Sequence, residues 1–346
     1  MVERKSFTTV DILKFFFCIC VIMLHTGILD LFSEEIKFYI TRVVFHLAVP
    51  YFFVASGFFL GKKYRNAKDG EYITILKGYI KRLSYPFLFF TLIGLRQQWT
   101  TMVLENKTDK LLYLLKRLAF YPFNALWFVE AIIVAAILIY PFIKMKHGVT
   151  ICVIAGLILY IFALTCNNYY FVVENTRFEP IINNYINLCY TARNGIFVGI
   201  VYLSIGIKCY DIYLKTVAEK KRRITVCLLC VLSLIMYIAE VYLLHYYDKS
   251  SLDDNALDIV QLILLPSLFL VSAFFSVNIP IKITVLLRNL STGMYYLHVP
   301  VMWWVCFYAS TCVQVFFAVV IISFLICILS YKIDIKRIIN KYYLLR

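Results

Sequence analysis

The chain has 346 residues, of which 62% are hydrophobic and only 16% charged, with a mean hydropathy of +0.80. That balance excludes a soluble domain and predicts an all-α integral membrane protein, a single bundle of about ten transmembrane helices. The formal charge of +15 invites a nucleic-acid partner, but the basic residues fall between apolar runs, so the expected partner is the lipid bilayer and no nucleic acid.

A spanning helix needs about 20 mainly apolar residues. On that criterion the spans are read at 10–32, 36–60, 83–99, 122–143, 149–166, 192–207, 224–245, 257–277, 291–310 and 312–331. Residues 1–9 lack a cleavable-signal layout, because the apolar stretch after them is span-length and carries Lys14 and His25. With the N-terminus inside, 24 of the 35 lysines and arginines fall on the inner side and 9 on the outer, so both termini are expected in the cytoplasm. Residues 1–331 then form the membrane domain. The tail 332–346 is expected to lie on the inner membrane surface or to connect to a further soluble domain. The loops at 31–36 and 246–258 are acidic, the second holding Asp248, Asp253, Asp254 and Asp258, and both are expected outside. The eleven cysteines sit mostly in apolar stretches without zinc spacing, so no metal and no disulfide framework is expected.

Ionisable groups inside a span are costly and mark sites with a purpose. Lys14 and His25 lie eleven positions apart on one helix face, roughly 16 Å along the axis, with Asp11 one turn before Lys14 and placed to pair with it. Depth counted at about 1.5 Å per residue puts His25, Arg42, His46, Glu130, Arg193 with Asn194, and Glu240 at one outer level. Helices that bundle would bring these charges of both signs together. The inner level is basic instead. Lys14 with Lys77, Lys81 and Arg82 suits phosphate groups arriving from the cytoplasm. His298 falls near 10 Å in the inner half and reads as a packing or gating residue.

These residues resemble the acyltransferase-3 family of ten-span membrane proteins over nearly the whole length. Asp11, Lys14 and His25 match the frame of the family's first helix, an Asp, an Arg, ten residues and a His. Pro50-Tyr51-Phe52-Phe53-Val54-Ala55-Ser56-Gly57-Phe58 is similar to its aromatic Ser-Gly motif. Leu126-Trp127-Phe128-Val129-Glu130-Ala131 and Tyr296-Leu297-His298-Val299-Pro300 also fit. Phe178-Glu179-Pro180 and Thr191-Ala192-Arg193-Asn194-Gly195-Ile196-Phe197 further resemble the membrane half of VanT-type serine/alanine racemases of vancomycin resistance.

The resemblance implies transfer of an acyl group from cytoplasmic acyl-CoA, such as acetyl-CoA, to a hydroxyl of a small polar or cell-envelope acceptor at the plasma membrane. His25, as general base, and Glu130 would be catalytic, while Lys14, Lys81 and Arg82 would engage CoA. Lys14 departs from the family's arginine, giving a point charge without the bidentate fork. The second resemblance implies an L-serine uptake or supply module working with a cytoplasmic racemase, with no PLP site in this chain. Arg42, His46, Arg193, Asn194 and Glu240 would then bind the substrate, an arginine taking the carboxylate and Glu130 or Glu240 the ammonium. A bare membrane anchor is the third reading, and it leaves the gathering of ionisable groups without a use.

Overall fold

The computed structural model describes residues 7–68, 70–104, 110–120, 125–247 and 256–332. All regular structure among them is helical. The tail expected on the membrane surface lies outside the described residues beyond Lys332.

The first apolar stretch forms α1 (Thr8–Thr26), which Gly27 ends in the left-handed conformation at φ 68°. That position favours glycine because a Cβ there meets the following carbonyl. The second stretch is broken. Ser33 caps α2 (Glu34–Val43), accepting the Ile36 N–H at 3.4 Å, and a 3-10 turn at Phe45–Leu47 precedes α3 (Ala48–Arg65). Then follow α4 (Tyr72–Leu104), α5 (Lys110–Phe120), α6 (Trp127–Ile139), α7 (Gly148–Thr165) and α8 (Glu179–Cys189). A π-helical turn, Gly195–Gly199, leads into α9 (Ile200–Thr216), and α10 (Lys220–Tyr246), α11 (Gln261–Phe274), α12 (Ile281–Val305) and α13 (Cys312–Lys332) complete the order.

Six of these segments are long and apolar enough to cross a membrane: Thr8–Thr26, Glu34–Arg65, Gly148–Thr165, Gly195–Thr216, Lys220–Tyr246 and Cys312–Ser330. Trp127–Phe142 and Gln261–Phe274 are apolar but shorter. Each of the ten expected stretches falls on a helix. α4 begins eleven residues before the expected span and α12 ten before, which matters for what they carry.

Close approach of α3 and α9 forms the centre. A Cβ on Gly57 would lie 2.2 Å from the Leu203 carbonyl oxygen, and one on Gly206 would lie 2.3 Å from that of Val54. Glycines let helix backbones touch where hydrocarbon supplies no hydrophobic drive between helices. Around this contact Phe53, Phe58, Phe128 and Phe269 pack edge-on or tilted, with Phe53 and Phe128 centroids 4.7 Å apart at 86°. In contrast α10 and α13 expose most of their apolar side chains, as lipid-facing helices do. α1 and α12 run in the same direction, because Asp11 meets Arg288 near their starts and His25 meets His298 near their ends.

Candidate functional site

The α1 helix joins two polar regions. At its last turn His25 opens onto a cavity of about 160 Å³, shared with His46, Arg117, Trp127, Arg193 and Tyr295. Local structure explains each placement. The 3-10 turn between α2 and α3 turns His46 into the cavity, away from Arg42. Gly195 and Gly199 press against Ala131, where a Cβ on either would lie 2.8 Å from its carbonyl oxygen. The chain before them is thereby held on α6, with the Arg193 guanidinium 5.4 Å from the centroid of the Trp127 ring. Ala125 adopts a left-handed φ of 58° beside the cavity, and its carbonyl accepts the Tyr295 hydroxyl at 2.6 Å. A non-glycine residue there costs about 1–2 kcal/mol, so the Tyr295 bond helps to hold that corner.

The expected outer layer divides in two. Arg42 is buried and pairs with Asp258 at 2.7 Å. Asn168 joins them, its amide donating to Asp258 at 2.6 Å and its carbonyl accepting from Arg42 at 3.4 Å. Gln261 donates to the other Asp258 oxygen at 3.1 Å, and Tyr237 donates to the Arg42 carbonyl at 2.5 Å. Arg42 is therefore engaged within the fold and does not line the cavity that His25 opens onto, and Asp258, read as a loop acid, is fully buried. Glu240 is likewise engaged. It accepts the Ile259 and Val260 N–H groups at 2.7 and 2.9 Å and the Tyr169 hydroxyl, satisfying the start of α11 where anionic acceptors are favoured. Asn194 caps the π-helical turn, accepting from Ile196 at 3.0 Å and Phe197 at 3.2 Å while its amide donates to Tyr185. Glu130 is half-buried on the first turn of α6 and is not part of the cavity wall. Of the residues expected to share one level, His25, His46 and Arg193 share the cavity, while Arg42, Asn194, Glu240 and Glu130 do not line it.

Sequence reasoning singled out neither Arg117 nor Tyr295, and it read His298 as a packing or gating residue of the inner half. The His298 ring lies 5.2 Å from that of His25, not in the opposite half. Counting depth from residue 291 misplaced it, because α12 starts at Ile281.

At the other end of α1, Lys14 borders a small hollow of about 20 Å³ with Ser56, Lys63 and Tyr79. Asp11 does not pair mainly with Lys14. It takes a two-pronged ion pair from Arg288, Nε at 3.1 Å and Nη2 at 2.6 Å. Arg82 is half-buried and donates from Nε to the Gly78 carbonyl, one turn back on the same helix, at 3.1 Å. Lys81 turns out, exposed with its ammonium 5.7 Å from the Tyr85 ring centroid. Neighbours on a helix diverge by about 100°, so Lys81 and Arg82 serve different faces. Lys63, and not Lys81, lines the hollow beside Lys14.

The family model described as an acyltransferase domain, acyltransferase-3, matches residues 7–332. The chain belongs to the acyltransferase-3 family. Among curated proteins it is 30% identical over 213 residues to an amino-acid racemase of Enterococcus faecalis, covering 60% of this chain and 28% of that one. A serine/alanine racemase of Enterococcus gallinarum is 24% identical over 233 residues, covering 66% and 32%. The chain thus spans under a third of the length of the racemases it matches. No solved structure matches it.

Proposed function

We propose that this acyltransferase-3 protein moves an acyl group from acyl-CoA, such as acetyl-CoA, to a hydroxyl of a small polar or cell-envelope acceptor. It would do so in the plasma membrane, as ten spans with both termini cytoplasmic. The observation that carries this reading is the position of His25, a base on the cavity wall at one end of a helix whose other end holds Lys14. Lys14, Lys63 and Arg82 supply the positive charge that CoA phosphates need. His25 would take the acceptor hydroxyl proton as the oxygen attacks the thioester carbon. The C–O bond forms, the C–S bond breaks, and the proton passes from His25 to the leaving thiolate. Arg193 and Arg117 would offset the charge that develops on the carbonyl oxygen.

The racemase relatives favour a second reading, in which the cavity takes L-serine for a cytoplasmic racemase in a vancomycin-resistance system. Arg193 and Arg117 could hold the carboxylate. The ammonium, however, needs an anion, and Glu240 caps α11 while Glu130 stands off the cavity wall. The acyl-transfer reading asks nothing of those two acids, so the geometry supports it better.

Proteoliposomes supplied with radiolabelled acetyl-CoA and, in parallel, radiolabelled L-serine test both. Acetyl-CoA consumption that His25→Ala lowers by about 10²–10⁴-fold is expected. Serine accumulation without acetyl-CoA turnover would replace acyl transfer with the second reading.

A further inference from the structure

His298 has a use that packing does not explain. Its Nδ1 lies 2.6 Å from the backbone oxygen of Tyr295. A carbonyl oxygen only accepts, so Nδ1 must carry the proton of that bond. In the neutral ring this leaves Nε2 as a lone-pair acceptor, and Nε2 is buried with no hydrogen-bond partner among the described residues. Buried acceptors are ordinarily satisfied. The nearest ring that could satisfy it is His25, 5.2 Å between centroids and tilted by 38°. The support behind His298 is rigid. The Tyr295 hydroxyl is tied to Ala125, Met294 and Tyr296 are buried, and the Asp11–Arg288 pair fixes α1 against α12.

We propose that His298 is a positioning residue for His25: its Nε2, unpartnered as the rings stand 5.2 Å apart, accepts a hydrogen bond from one ring nitrogen of His25 when the His25 ring turns toward it. The inference rests on the acyl-transfer reading for its consequence, though not for its geometry. A proton held on the His25 nitrogen facing His298 leaves the other nitrogen unprotonated toward the cavity, which is the form a general base needs. When His25 takes the acceptor's proton, the same bond steadies the imidazolium without moving a heavy atom. His298 touches no substrate. It acts through His25, as the third group does in nucleophile–base–orienter sites.

The test uses two substitutions that separate folding from function. His298→Asn places an amide N–H where Nδ1 was, keeping the Tyr295 bond, but has no acceptor at the Nε2 position. His298→Gln reaches the Nε2 position with a carbonyl acceptor. The full chain is labelled with ¹⁵N-histidine in detergent micelles, and the five histidines are assigned with His25→Ala identifying the His25 ring. In the wild type and His298→Gln, one His25 tautomer is expected. In His298→Asn the two tautomers should mix, and kcat should fall on the order of 100-fold with KM unchanged, as for a misplaced catalytic group. An unchanged His25 tautomer in His298→Asn, or equal kcat in wild type and His298→Asn, overturns the proposal. A wild type that shows the tautomer effect yet transfers no acyl group overturns the acyl-transfer reading and leaves the pairing standing.

Discussion

The Arg42–Asp258 pair gives a sharp prediction because two opposed roles are available for Arg42. If it is structural, removing either partner strands a charge in the interior. Arg42 exposes about 5% of its side chain and Asp258 none, so neither charge regains water in the folded state. Breaking such a pair from one side typically costs 3–5 kcal/mol. Here Asp258→Leu also takes an acceptor from Asn168, whose amide donates to the carboxylate at 2.6 Å and keeps only the Leu257 carbonyl at 2.8 Å, whereas Gln261 retains the Ala256 carbonyl and the Tyr237 hydroxyl. The one Asn168 N–H left without an acceptor adds about 1–3 kcal/mol, so Asp258→Leu should cost more than Arg42→Met. The double variant removes both charges at once. It should fall short of the sum of the single losses by at least about 2 kcal/mol, with a residue left from the Asn168 amide. Reversible unfolding in mixed micelles, followed by near-ultraviolet circular dichroism, measures all three. Independent, additive losses would refute the pairing. So would a stable Arg42→Met protein that has lost ligand affinity, because that outcome returns Arg42 to substrate binding.

Glu240→Ala should destabilise the protein by about 1–2 kcal/mol through loss of the acceptor for the Ile259 and Val260 N–H groups that lead into α11, while acyl-CoA affinity in a filter-binding assay stays unchanged; a loss of affinity at full stability would count against the capping role. Gly206→Ala puts a methyl 2.3 Å from the Val54 carbonyl oxygen, a contact with backbone that cannot rotate away. It should cost about 1–3 kcal/mol or more and spread the size-exclusion profile, and a monodisperse, equally stable variant would mean that α3 and α9 do not cross there. Lys63→Ala and Arg82→Ala should each weaken acyl-CoA binding by about 1–3 kcal/mol, as for lost charge-assisted bonds, whereas Lys81→Ala should not. Equal losses at Lys81 and Arg82 would show that both faces of α4 meet the donor.

What the sequence made legible follows from which quantities are local. The α1 spacing of Lys14 and His25 depends only on helix geometry, and the structure places one at each polar region. The aromatic Ser-Gly stretch in α3 is legible for the same reason, since Gly57 needs a close neighbour whichever helix supplies it. Pairings are not local. Arg42 finds Asp258 across 216 positions, and nothing within the Asp-rich stretch of the sequence marks which acid is the buried one.

Depth is a third kind of quantity, local only if the helix start is known. His298 was misplaced because polar Lys282 and Arg288 made the first turns of α12 look like loop. Arg288 is tolerated there because Asp11 neutralises it through two bonds, at 2.6 and 3.1 Å. The same ion pair that disguises the start of α12 therefore sets the register of α12 against α1. With that register fixed at one end, the parallel course of the two helices brings His298 beside His25 at the other. A residue that composition assigns to a loop thus governs which histidine faces the cavity base, and disrupting Asp11–Arg288 should loosen the histidine pair without touching either ring.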